Sequence, residues 1–152
     1  MEVKKNPMKK MHVTVIIAIL ILAVAFMGLW LHERNNQSVM EQMAQSSAQS
    51  ALERFIEYRD FGGDTSYWCG VANFRAFQLA FQRVSHNEGD GLIISAVYGI
   101  FTFESDISRQ HIDEIISVMT VFANDIHDFN GMAQMLYLRN SLTNGDLASS
   151  SA

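Results

Sequence analysis

The sequence predicts an all-α protein: a single transmembrane helix at the N-terminus, then a small extracytoplasmic bundle of about four to five helices. Three observations carry this. Residues 13–31 form a run of 19 without a charge. Apolar residues recur at steps of three and four through most of the remainder. No proline follows Pro7, which suits helices with glycine-punctuated connections better than a sandwich of strands. A chain of 152 residues has room for one compact domain and excludes a multidomain enzyme.

Residues 1–12 read as a basic cytoplasmic N-terminus and 13–31, VTVIIAILILAVAFMGLWL, as an uncleaved signal anchor. At about 1.5 Å per residue the run rises roughly 28 Å, close to the ~30 Å hydrocarbon core of a bilayer. Val13, Ile17, Leu20, Phe26 and Leu31 face lipid in this reading, and Trp30 marks the headgroup boundary. The run is longer than a signal-peptide apolar region, and residues 29–34, LWLHER, offer no small-residue cleavage site. Orientation follows from charge. Lys4, Lys5, Lys9 and Lys10 all precede the run and, against Glu2, give +3; from His32 onward seven arginines face fifteen acidic residues, giving −8. Basic flanks stay in the cytoplasm, so the bulk of the chain is expected outside the cell membrane. Its negative charge argues against nucleic acid as a partner. The small residues Ala18, Ala23, Ala25 and Gly28 lack GxxxG spacing.

Residues 38–60 have helical periodicity, with Ser38 and Glu41 in capping-box spacing. The stretch 32–50 is poor in large apolar groups and reads as a helical stalk, although Ala44, Ala48 and Ala51 are small enough for close helix pairing. The outer domain is expected over 51–142. FGGDTS, residues 61–66, breaks the chain and offers caps for a helix over 67–84, whose large apolar residues share one face. SHNEGDG, residues 85–91, is a polar loop. Residues 92–103, LIISAVYGIFTF, suit a strand or a helix; with no second strand to pair with, a short central helix is expected. Glu104, Ser105 and Asp106 form a cap region, and Ile112, Ile115, Ile116, Met119, Phe122 and Ile126 mark a long amphipathic helix running to about Asp128; Gly131 ends or kinks it, a final helix covers 132–142, and 143–152 reads as a disordered tail.

Candidate chemistry is sparse. Cys69, in SYWCGV near the start of the second helix, sits where papain-type and transglutaminase-type nucleophiles sit, with His86, His111, His127 and Asn140 downstream. No signature of either family surrounds it. A small buried thiol is the expected role, and an intermolecular disulfide the next, since a lone cysteine outside the cell has no partner within the chain. No Glu-x-x-His pair for a di-iron bundle is present, and HNEGDG fails as a calcium loop because its first and twelfth positions are His86 and Val97. No metal site or cofactor is expected. GxSxG, Walker A, GxGxxG, HExxH and paired CxxC motifs are absent. A pilin-like leader is not matched either, because the apolar run follows MKKMH and holds no acid.

Fourteen aromatic residues follow residue 31, a plentiful supply for one small bundle, and Phe74, Phe77 and Phe81 are a candidate interaction face. The expected function is therefore a single-pass envelope protein, held in the bilayer through 13–31, whose outer domain is a protein-interaction or structural module with a protein partner or a second copy. The alternatives are a cysteine-dependent hydrolase or acyltransferase working through Cys69, and a domain that binds an apolar small molecule.

Overall fold

The computed structural model describes residues 7–85 and 87–149, with side chains described over 19–85 and 87–143. Nearly all of the described residues are helical, and no strand occurs among them. In order the elements are α1 (Pro7–Phe61), α2 (Asp64–Val84), α3 (Glu88–Phe103), α4 (Ser105–Gln110), α5 (Ile112–Asn124) and α6 (Phe129–Ser149). The chain divides into two units, Met1–Gln37 and Ser38–Ala152.

In the first unit the backbone is helical from Pro7. From Ile19 to Leu31 the large apolar side chains are all exposed, Leu22 by 70% and Phe26 by 75%. The Arg34 guanidinium lies 5.4 Å from the Trp30 ring, and His32 and Asn36 share a 3.2 Å hydrogen bond. Among the described residues no helix is long and apolar enough to cross a membrane; side chains 13–18, with Val13 and Ile17, lie outside the described ones, as do the side chains of Lys9 and Lys10 and the whole of Lys4 and Lys5.

The second unit is built on the last part of α1. Ser38 and Glu41 do not cap a new helix, because α1 passes through them unbroken; Glu41 instead lies 3.5 Å from His127 Nε2. Nor is 32–50 a stalk throughout: Ala44 and Ala48 have no exposure, and Gln45 Nε2 donates to the carbonyls of Ala123 (3.2 Å) and Asn124 (3.1 Å). Ala44, Ala48, Ala51 and Phe55, at steps of four, three and four, form the buried stripe of α1.

Gly62 and Gly63, with φ of +71° and +100°, reverse the chain between α1 and α2 in a conformation that L side chains avoid. On α2 the buried stripe is Tyr67, Gly70, Val71, Phe74, Phe77, Phe81 and Val84. Gly70 lets the two helices meet, since a Cβ there would stand 2.6 Å from Phe55 Cε1. Phenylalanine rings then run through the interior, edge to face at Phe55 to Phe101 (5.8 Å between centroids), Phe74 to Phe101 (4.8 Å) and Phe81 to Phe122 (5.6 Å), and tilted at Phe77 to Phe122 (5.1 Å). Ile94 and Val97 of α3, Ile115 and Met119 of α5, and Met135, Leu138 and Leu142 of α6 close this core.

Residues 92–103 are helix, as expected, but α3 starts earlier, at Glu88, where the Asn87 side chain caps it by accepting from Gly89 N–H at 3.0 Å. The expected cap region at 104–106 instead opens a short helix, α4, ahead of the amphipathic helix α5, which ends at Asn124 and not near Asp128. His111, at φ −102° and ψ 25°, separates α4 from α5, and its N–H reaches both the Ile107 and Ser108 carbonyls. Gly131 lies inside α6, where a Cβ would come 3.1 Å from the Phe122 ring, so it admits a neighbour and does not end a helix. Helix α6 continues to Ser149, through most of the expected tail.

Candidate functional site

Helices α2 and α3 form an antiparallel pair held by a polar seam. Gln78 is 2% exposed and needs partners: its Nε2 donates to Ser95 Oγ (2.6 Å), and its Oε1 accepts from Arg75 Nη1 (2.6 Å). Arg75 also lies 4.9 Å from the Tyr98 ring, while Gln82 Nε2 donates to Ser95 Oγ (3.1 Å) and the Gly91 carbonyl (3.4 Å). The seam fixes which sides face outward. On α2 they carry Ala72, Ala76, Leu79 and Arg83; on α3, Leu92, Ala96, Gly99 and Phe103. Both series step by four, three and four, so each is a straight helical stripe. Leu79, Leu92 and Phe103 are 50%, 72% and 89% exposed. Two adjacent helices thus present one apolar outer layer, with Trp68 at the edge.

This is not the face expected from the sequence. Phe74 and Phe77 have no exposure and Phe81 only 5%, so the three belong to the core. Cys69 is corrected in the other direction: it is exposed. It lies beside the buried stripe on α2, and as the sixth residue of that helix it stands beyond the four whose N–H groups lack helical partners. The candidate bases are engaged elsewhere: His111 Nδ1 with Glu114 Oε1 at 3.0 Å, and His127 with Glu41. His86 lies outside the described residues. Among the described residues no three His, Cys, Asp or Glu side chains gather where they could hold a metal.

A second cluster joins the helix ends around Arg109. Its Nη1 donates to Asp64 Oδ1 at 2.7 Å, and its guanidinium lies 4.5 Å from the Tyr67 ring and 5.6 Å from that of Tyr58. Tyr67 Oη donates to the Phe101 carbonyl (3.0 Å) and shares a short hydrogen bond with Ser108 Oγ. Burial pushes the Tyr67 phenol above its usual value; the Ser108 bond and the Arg109 charge only partly offset this. For Arg109, desolvation pulls down and Asp64 with the two tyrosines more than compensates, so the guanidinium stays charged. Residues 61–66 offer Asp64, Thr65 and Ser66 as caps, but α2 starts at Asp64 with no side-chain cap, and the Asp64 carboxylate goes to Arg109. The cluster is a structural clamp: its hydroxyls, Tyr67 and Ser108, are both fully buried and bonded to each other and to the Phe101 and Ser105 carbonyls.

Comparison with known proteins gives no matching family model, no matching curated protein and no matching solved structure. One groove of about 390 Å³ opens between the end of α2 and the 125–128 connection, lined by Phe81, Val84, Asn87, Asp90, His127 and Phe129 among others. Its polar groups are tied to one another: Asp90 accepts from Ser85 Oγ (3.1 Å) and Asn87 Nδ2 (3.0 Å). Its imidazole, His127, lies by Glu41, and no hydrogen bond among the described residues joins it to the Ser85 hydroxyl. The α2/α3 layer is the stronger candidate for function, and it suits contact with another surface.

Proposed function

We propose that the chain is a single-pass, membrane-anchored envelope protein with a cytoplasmic N-terminus, whose outer helical unit is a protein-interaction module. The observation that carries the second half is the apolar outer layer of α2 and α3, lying above a core already filled by phenylalanine rings. A unit that has completed its interior and still exposes Leu79, Leu92 and Phe103 has surface left for a partner. The anchor is supported by the uncharged run 13–31, by helical backbone through it, and by the step from +3 to −8 in charge across it.

The test is extraction of membranes with alkaline carbonate from cells making the full chain with a reporter, active only outside the cytoplasm, at its C-terminus. The wild-type chain is expected in the pellet with an active reporter. Leu22→Arg with Val24→Asp places two charges mid-run, at about 2.5–3.5 kcal/mol each, and is expected to move the chain to the supernatant. A wild-type chain recovered in the supernatant overturns the anchor.

A further inference from the structure

We infer that the outer layer of α2 and α3 is a homodimer interface, in which α2 of one copy packs against α3 of the second about a two-fold axis parallel to both helices. This rests on the reading of the outer unit as an interaction module and names its partner. The seam pairings set the level of each residue: Gln82 with Gly91, Gln78 with Ser95, Arg75 with Tyr98. An axis along the helices preserves those levels. It brings Leu79 of one copy to Leu92 of the other and, at one end, Arg83 to Glu88; both of these charged residues are exposed, and neither has an ion pair among the described residues. The other axis that can bring two such faces together lies in the layer and runs across the helices; it would reverse the levels and set Arg83 against the end that carries Ala72 and Phe103, burying a charge on an apolar surface. Charge complementarity therefore selects a second copy, in one orientation.

Gly99 gives an independent argument. It is in the middle of α3 and in the outer stripe, where glycine weakens a helix by roughly 0.5–1 kcal/mol relative to alanine. A Cβ at 99 would meet nothing within 4 Å, so no neighbour in the same chain requires its absence. Close approach of a helix from outside does require it, and Ala76, near its level on α2, is similarly small.

The experiment is the mass of the full chain in detergent micelles, by sedimentation across a concentration range, with Cys69→Ser throughout to remove disulfide linkage. A dimer is expected. Gly99→Arg is expected to give a monomer that keeps its helix content, because the monomer has open space there and arginine suits a helix better than glycine. Arg83→Glu and Glu88→Arg are each expected to weaken association about tenfold, since the two-fold axis counts each pair twice, and the double variant is expected to restore it. A dimer indifferent to Gly99→Arg and to the charge reversals overturns this interface and leaves the module reading standing, as does a monomer that holds a different protein stoichiometrically. A monomer with no partner of any kind overturns both.

Discussion

Two stretches of α1 use apolar residues in opposite ways. Between 19 and 31 the side chains are large, apolar and exposed. Between 38 and 61 the fully buried residues are three alanines and Phe55, while Val39 and Met43 are 44% and 50% exposed. Apolar content and burial within the protein are thus anticorrelated along a single helix. Small side chains draw a helix close to its neighbours, so that rings from α2, α3 and α5 fill the interior; the leucines and isoleucines of 19–31 stay exposed. In the reading proposed above, lipid covers the first stretch and protein the second, and each has the side-chain sizes its environment rewards.

That contrast can be broken first at Phe55. Phe55→Ala removes the one large side chain of the buried α1 stripe and is expected to destabilise the outer unit by about 3–5 kcal/mol, read from denaturant unfolding. Ala48→Leu sharpens the comparison. With no exposure at Ala48, the added methyl groups are expected to cost about 1–3 kcal/mol by overpacking. The same substitution at Ala23, on the uncovered stretch, is expected to leave that unfolding unchanged. Equal effects at the two alanines would remove the distinction. The smallest effect lies at the clamp that fixes the end of the α1 stripe. The Tyr67 phenol is raised above 10.0 in the folded chain, so its neutral form is the stabilising one. That contribution is present below pH 10 and is lost as pH rises through the higher folded value. Tyr67→Phe is expected to cost about 1 kcal/mol at neutral pH and to flatten the loss of stability as pH rises above 10.0, measured by melting against pH.

Periodicity made the helical class and the inner face of α2 legible, because Phe74, Phe77 and Phe81 repeat at steps no strand would keep. The same steps contained the correction to their role: residues that line one face with Tyr67 and Val71 point into the bundle, and Cys69 lies off that line. Continuity through Ser38 was not legible, since capping-box spacing also arises inside a helix, and nothing between Gly28 and Gly62 breaks this one. The separation of α4 from α5 carries no glycine or proline; His111 leaves helical geometry where the Ser108 hydroxyl joins Tyr67 in the interior. The outer layer was hidden for a different reason. Residues 92–103 are apolar almost all round, so the face with Leu92, Gly99 and Phe103 is told from the face with Ile94, Val97 and Phe101 only by the neighbours that cover the second.

The Gly62–Gly63 link also bears on how quickly the outer unit assembles. It places Phe55 and Tyr67, whose ring centroids are 6.2 Å apart, within a dozen residues along the chain. Contacts between near neighbours in sequence close small loops, lose little chain entropy and form early. The hairpin of α1 and α2 is therefore expected to be the folding nucleus onto which α3, α5 and α6 condense. Lengthening this turn with flexible residues would then slow folding while leaving the unfolding rate nearly unchanged.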